Sequence, residues 1–362
     1  MRILAINPGG GTTKVAVFDN TRPVFRESIE HPAPQLVRFG HVLDQYSMRK
    51  DTVLSALKAH KVAPESIGAI ASRGGPLMPL PGGVFRINAR VVGDIQRGCY
   101  QTLHPSLLGP LISHELSREL DIPAYFVDPE STDEFRPEAR FAGLKGIERA
   151  ALSHALSCRT VAQEAARRLH KRYENCRFVV AHIGTGITVA AHVNGRQVDA
   201  SNANDDGPFT PQRTGSLPLS GIIRVCFSGR HTEAEVLDIC QRRGGLLSYL
   251  GTDDIRKVEA WVRAGDKRAR LTYDALVYGI AKEIGAHAVA CGGKVDALVL
   301  TGGLTLSKGF VAALRRWVKP LFGRIIVFPG EEEMSALAAR VLAVMTGKEK
   351  EKDYAKEVTV RG

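Results

Sequence analysis

The chain has 362 residues, of which 44% are apolar and 24% charged, and a formal net charge of +11; this length exceeds one ordinary hydrophobic core and predicts two lobes. No stretch approaches the ~18 apolar residues of a spanning helix, and six scattered cysteines with no C-x-x-C pair and no Cys/His cluster exclude a zinc ribbon or a disulfide scaffold. The positive charge admits anionic ligands, but aromatics are only 6% and the basic residues are dispersed, which argues against a nucleic-acid surface.

The chain opens with an apolar strand at residues 3–6, with no charged-then-apolar leader, so a cytoplasmic location is expected. Asn7, Pro8, Gly9, Gly10, Gly11, Thr12 and Thr13 then separate it from a second apolar run at 15–18. A Rossmann or P-loop glycine run must open a helix, and the G-x-x-x-x-G-K-[ST] spacing is absent, so this run is read as a hairpin tip. Such a tip either turns the chain only or offers adjacent N–H groups to an anion. Thr12 and Thr13 would add hydroxyl donors, Lys14 charge, and Asn7 a contact for a metal-bound water or a phosphate oxygen.

Residues 21–29 continue as a strand and 43–60 have helical spacing. A short apolar strand at 67–71 runs into Ser72, Arg73, Gly74 and Gly75. Open sheets collect ligands at such strand ends, which makes Arg73 an anion clamp or, alternatively, a surface arginine. Residues 88–99 read as a helix, and His104 precedes another whose apolar face runs from 107 to 120. The strand 122–129 ends at Asp128, which is read as a metal or base position or as a cap. The clearest amphipathic helix spans 147–172, with His154 in its first half and basic residues in its last turns.

The opening pattern then recurs. His182, Ile183, Gly184, Thr185 and Gly186 interrupt apolar runs at 178–190 as residues 7–13 do near the start, which points to a duplicated hairpin domain. A long polar loop at 202–219 carries two aspartates and Arg213. Asp253 and Asp254 stand at a helix start, and a second long helix covers 273–291. A strand at 295–301 meets Gly302 and Gly303 before a helix, a geometry that sets N–H groups beside a nucleotide. Three glutamates at 331–333 open the final helix, where a cation or simple helix-end placement would explain them. The mixed-sign tail at 347–362 is read as a solvated end. Two hairpins for phosphates, a Gly-Gly turn for a nucleotide, scattered Arg and His, and carboxylates at Asp128 and Glu333 are the equipment of phosphoryl transfer.

Eight segments, AINPGGGTTKVAVFD, SRGGPLMPLPGG, IERAALSHALS, VVAHIGTGITVAAHVNG, DDGPFTPQRTGSLPL, GGLLSYLGTDD, LTGGLTLSK and FPGEEEMSALA, run in order from residue 3 to about 345. In this order they resemble the acetokinase family of the ASKHA superfamily (acetate and sugar kinases, Hsp70, actin), and within it the butyrate kinase branch. The resemblance implies a two-lobed α/β ASKHA fold of duplicated RNase H-like domains with an interlobe cleft. The lobes would be 1–150 and 151–332, with the last helix, about 333–350, packing back on the first. It implies reversible transfer of the γ-phosphoryl of ATP to a short-chain carboxylate, giving an acyl phosphate and ADP with Mg²⁺, by direct in-line attack. The acceptor would be butyrate, or acetate, propionate or a branched acid; a non-catalytic nucleotide-binding ASKHA protein is the reading of a different class.

Carried over by position, Asn7 and Glu333 match magnesium positions. Gly9, Gly10, Gly11, Thr12, Thr13 and Lys14 match the first phosphate hairpin; His182, Gly184, Thr185 and Gly186 match the second. His154 matches a histidine beside the transferring group, Asp128 a carboxylate near the metal and reacting centre, and His104 a histidine near the acyl pocket. Asp254, Gly302, Gly303 and Ser307 fall at adenosine contacts. Acetate kinases carry a Ser-rich first loop, an H-R-V-V-H-G-G segment and a later G-T-R arginine. Here the loop is Gly/Thr-rich, the second segment is SRGG, and Leu219 and Ser220 stand at the G-T-R site. Arg73 and Arg213 are therefore expected to supply the catalytic charge, Arg73 also binding the acid. The family further implies a homodimer or larger homo-oligomer, with neither nucleic acid nor membrane as partner.

Overall fold

Both Gly/Thr-rich runs turn antiparallel hairpins. In a computed structural model describing residues 1–202 and 204–359, β1 (Arg2–Pro8) pairs with β2 (Thr12–Asp19) and β2 with β3 (Arg22–Glu30). β4 (Ile67–Ser72) lies parallel to β1, β6 (Ala124–Val127) parallel to β4, and the short β5 (Val84–Arg86) antiparallel to β6. The sheet order is β3-β2-β1-β4-β6-β5. The second sheet repeats this plan. β7 (Arg177–Ile183), β8 (Ile187–Val193) and β9 (Arg196–Ala200) form the meander, and β10 (Ala297–Thr301) and β11 (Ile325–Val327) extend it in parallel, in the order β11-β10-β7-β8-β9. The duplication read from the two hairpins is thus a duplication of five strands.

The chain divides into two compact units. One comprises Met1–Asp133 and the described residues from Glu332 onward; the other is Glu134–Glu331. The first boundary falls at 133/134, where the sequence reading set it near 150. In the first unit Leu4 and Ile6 of β1 share a core with Val53, Leu57, Leu108, Ile112 and Phe126. Ile3 and Ala5 alternate to the other face and are also fully buried. The helix Glu333–Met345 packs against β1, β2, β4 and β6. In the second unit Val179 and Ala181 pack with Leu276, Ile280 and Phe310, while Phe178 and Val180 pack with Cys158, Ala162 and Ala165. Both sheets therefore carry helices on both faces, which is why their central strands read as unbroken apolar runs.

Two expectations are corrected. The helix expected at 147–172 is Ala155–Arg168, and His154 is its N-terminal flank, not a residue of its first half. Residues 147–153 stay irregular because Arg149 anchors them: its guanidinium bonds Asp199 (2.8 Å), Asp206 (3.2 Å) and the carbonyl oxygens of Ala139 and Ala200. Nor is the described part of the tail a solvated end. Lys352 exchanges backbone hydrogen bonds with Val84 and Arg86 of β5, and Tyr354 is fully buried edge-on against Phe126. The alternating charges hid a single aromatic anchor.

Among the described residues no helix is long and apolar enough to cross a membrane. All six cysteines are free thiols, three of them buried.

One buried histidine carries a pH dependence. His192 on β8 is fully buried, with Nδ1 2.7 Å from the Tyr173 hydroxyl. Burial, then the charges of Arg159 and His287, push its pKa down to about 3. The unfolded chain binds that proton near pH 6.5, so the stability His192 contributes is complete above 6.5 and falls as pH drops from there toward about 3. From pH 7 to pH 5 the expected loss is ~2 kcal/mol. Tm measured across that range should fall, and less steeply in His192→Gln; identical acid slopes would show the group to be irrelevant.

Candidate active site

In the first unit, β1, β4 and β6 run parallel and end side by side, so the residues just beyond them share one sheet edge. Asn7 comes from β1, Arg73 follows β4, and Glu130 lies three residues beyond β6. Glu333, at the first turn of its helix, meets them from a position where the helix dipole favours a carboxylate. Asn7 Nδ2 donates to Glu333 Oε2 at 2.8 Å, and Lys14 Nζ lies 3.8 Å from the same oxygen. The Arg73 fork bridges two carboxylates, with Nη1 donating to Glu333 Oε1 (2.7 Å) and Nη2 to Glu130 Oε1 (2.5 Å). Ser106 Oγ lies 3.1 Å from Glu130 Oε1 and 2.6 Å from His104 Nδ1. Burial opposes the charge on Glu130, but Arg73, His104 and its hydrogen bonds prevail and hold its carboxyl below the usual range.

The first hairpin is braced from beneath. Arg49 is fully buried and donates to the carbonyl oxygens of Thr12 (2.7 Å) and Gly10 (3.3 Å), to Thr13 Oγ1 (3.0 Å) and to Gln45. Burial pushes its pKa down to about 10, so it remains a cation at neutral pH. His31 N–H takes the Gly11 carbonyl at 2.8 Å. With these carbonyls turned inward, the tip stays exposed at Gly10 and Gly11, where an added Cβ would meet nothing within 4 Å. Thr13 departs from expectation. Strand alternation turns it inward, where its hydroxyl accepts from Arg49 and pairs with His31 Nε2 at 2.8 Å.

Asp128 has partners of its own. It is buried with φ +36°, its Oδ1 accepts the Gly83 N–H (2.8 Å), and its Oδ2 pairs with Arg340 (2.5 Å). Arg340 also pairs with Glu349. Asp128 therefore ties the last helix to the sheet edge, and Glu130 is the acid that reaches Arg73.

In the second unit His182 is the penultimate residue of β7, and its partner across the hairpin is Thr188. Thr188 Oγ1 accepts the His154 N–H (3.3 Å) and lies 2.9 Å from His154 Nδ1. The two imidazoles stack at 4.1 Å and 12°. His182 Nε2 faces Glu331 at 3.3 Å. Gly184 N–H bonds the Gly186 carbonyl at 3.0 Å, closing the turn around Thr185. A Cβ on Gly186 would lie 3.1 Å from His154 Cε1 and 3.2 Å from Arg213 Nη1, so this turn, His154 and Arg213 converge on one spot. Arg213 is pushed below its usual pKa by burial alone. Among the described residues no hydrogen bond or ion pair reaches its guanidinium.

Arg213 is presented by the long polar loop at 202–219. Thr210 Oγ1 donates to the Thr185 carbonyl (2.7 Å) and accepts the N–H groups of Gln212 and Arg213. Leu246 N–H bonds the Thr210 carbonyl, and Gly244 N–H bonds that of Gln212. Gly245 has φ +59°, and a Cβ there would sit 1.7 Å from the Thr210 oxygen. Gly245→Ala is expected to cost at least ~2 kcal/mol and to lower turnover with it by shifting the Arg213 loop. An unchanged denaturation midpoint would contradict this.

The remaining sequence candidates lie on helix starts. Gly302 has φ +96°, and a Cβ would strike the Ile183 backbone at 2.5 Å, so this glycine lets β10 pass the end of β7. Gly303 is open. Ser307 caps the helix Lys308–Val318 and donates to Glu259 Oε1 (2.5 Å). Glu259 belongs to the helix Ile255–Arg263 that Asp254 caps, so Ser307 and Asp254 belong to joined elements. Hydrogen bonds from the Arg256 side chain and backbone pull Asp254 down to about 2.

Residues 139–315 match the model of the Acetokinase family. The match covers just under half of the chain and makes this stretch similar to the Acetokinase family. It contains His154, the second hairpin, Arg213, Asp254 and Ser307. An acetate kinase from Porphyromonas gingivalis is similar in structure, with TM-score 0.76 and 20% identity over 95% of this chain and 99% of that one. A propionate kinase from Francisella tularensis gives 0.73 and 19% over 94% and 98%. An acetate kinase from Entamoeba histolytica gives 0.73 and 17% over 96% and 99%. At these identities the likeness establishes the fold: the chain has the ASKHA α/β fold expected from its sequence, and the stretch that matches the Acetokinase family lies within it.

Proposed function

We propose that the chain is a carboxylate kinase of the acetokinase family, transferring the γ-phosphoryl of ATP reversibly to a short-chain carboxylate, with butyrate as the reference acceptor. The observation that carries this reading is Arg213: a half-buried guanidinium with no counter-ion among the described residues, set beside His154 and the Gly-Thr-Gly turn. A buried cation is costly without an anion. A transferring phosphoryl group supplies one, and positive charge aimed at its equatorial oxygens is what this chemistry needs.

The acceptor carboxylate is ionised at pH 7 and needs no base. Its oxygen forms the new bond to the γ-phosphorus as the bond from that phosphorus to the β–γ bridging oxygen breaks. ADP leaves with the electron pair, and no proton is exchanged. In this reading Arg213 and His154 stabilise the transferring group and the two hairpins hold the phosphate chain. Arg73 and His104 receive the acid, while Asp254, Gly302, Gly303 and Ser307 lie towards the adenosine. In this reading Glu333 and Asn7 would hold magnesium: both side chains carry oxygen atoms, those of Glu333 being taken here by Asn7 Nδ2, Lys14 and Arg73, and Mg²⁺ is held by one or two carboxylates plus substrate phosphates, not by a protein cage. Among the described residues no group of three or more His, Cys, Asp or Glu makes such a cage. When bound there, the ion would neutralise phosphate charge. ATP as donor accords with a cytoplasmic location.

ADP release from ATP, followed with a coupled assay, should require a short-chain acid. ATP turnover indifferent to added acids would remove the proposal in favour of a nucleotide-binding protein or another acceptor class.

Homodimerisation has support in the helix Leu219–Cys226, where Leu219, Ile223 and, just beyond its end, Phe227 are 73%, 45% and 86% exposed at four-residue spacing. Sedimentation should show a dimer that Ile223→Lys weakens; a monomeric wild type would contradict it.

A further inference from the structure

The two oxygens of Glu130 are used unequally. Oε1 receives the Arg73 guanidinium at 2.5 Å and stands 3.1 Å from the Ser106 hydroxyl. Oε2 is buried and has no hydrogen-bond partner. A carboxylate oxygen removed from water without a donor is costly, and such a group in a folded protein calls for an explanation. The neighbouring hydroxyls do not relieve it. Ser131, next in the chain, and Ser72, just before Arg73, are fully buried and their Oγ atoms are also without partners. A pocket for a plain alkyl acid would be lined by apolar groups. On one side of each, Ser72 before Arg73 and Ser131 after Glu130 instead carry unused hydrogen-bonding capacity, while Gly74 and Pro129 stand on the other.

We infer that the acid received at Arg73 carries a hydrogen-bond donor of its own, a hydroxyl or an amino group, which Glu130 Oε2 accepts. This rests on the phosphotransfer reading above and narrows its substrate class from short-chain carboxylates to donor-bearing ones. Butyrate would leave Oε2 unpaired and press methylene groups against a carboxylate. A hydroxy or amino acid of the same length would bind Arg73 through its carboxylate and satisfy Glu130 with its substituent. Sites that hydrogen-bond a substrate group reject analogues lacking it far more strongly than apolar pockets reject a missing methylene.

The test compares kcat/KM for acyl phosphate formation with butyrate, 2-hydroxybutyrate, 3-hydroxybutyrate and 3-aminobutyrate. At least one donor-bearing acid should exceed butyrate by about 10²-fold or more. The hydroxy and amino arms separate the two donors. In Glu130→Gln that ratio should shrink by at least ~10-fold, chiefly through loss of activity with the donor-bearing acid. If that variant does not fold, the wild-type ratio decides alone. Butyrate used as well as or better than every substituted acid overturns the inference and leaves the kinase reading standing. Acyl phosphate from none of the four acids overturns both.

Discussion

Arg213→Ala is expected to lower kcat about 10²- to 10³-fold while leaving thermal stability unchanged or raised. The two halves of this expectation share one cause. Burial disfavours the charge on Arg213, and no acid among the described residues offsets it. Deleting the side chain removes that desolvation cost from the folded protein but also the charge that a phosphoryl group would meet. A structural arginine would behave oppositely, losing stability first. Arg213→Lys should recover only part of the rate, because an ammonium is a point charge and lacks the guanidinium fork. Turnover and Tm measured on the same preparations decide the matter; near-normal kcat in Arg213→Ala would take the residue out of the mechanism.

Arg73→Ala should also lower kcat by at least ~10²-fold, with the opposite effect on stability. Arg73 neutralises Glu333 and Glu130 together, and both are mostly buried, at 7% and 17% side-chain exposure. Removing one partner of a buried pair leaves an uncompensated charge, at a cost of about 3–5 kcal/mol. Lys14 remains within 3.8 Å of Glu333, so Glu130 bears most of the loss. Raising the acid concentration should not restore the rate if Arg73 stabilises charge in the transition state, whereas a pure KM effect would reduce it to an acid-binding residue. Unchanged denaturation would contradict the bridging role.

What could be read from the sequence was local. The hairpins declared themselves because Gly and Thr between apolar runs have a turn chemistry of their own, and their recurrence exposed the duplicated sheet. Arg73 and Glu333 were legible because each adjoins an element boundary that apolar patterning marks. What the sequence could not show is tertiary. Asp128 and Glu130 are both acids beyond the same strand, and only Gly83 and Arg340 show that the first is occupied. Arg49 carried a readable signal: it precedes Val53 and Leu57 at four-residue spacing on the buried side of its helix. Tyr354 had none, since its partner Phe126 lies more than 200 residues away in the sequence. Gly245 carried no signal of its own in the sequence; the Thr210 carbonyl set against it shows why glycine stands there.

Direct attack of a carboxylate oxygen on the γ-phosphorus is most directly tested with an acid labelled in both carboxylate oxygens with ¹⁸O. Incubated with ATP and hydroxylamine, the acyl phosphate is trapped as hydroxamate, and phosphate departs with the bridging oxygen. The account predicts carboxylate-dependent hydroxamate and released phosphate carrying a single ¹⁸O. Absence of hydroxamate with every short-chain acid, or phosphate without label, would contradict it.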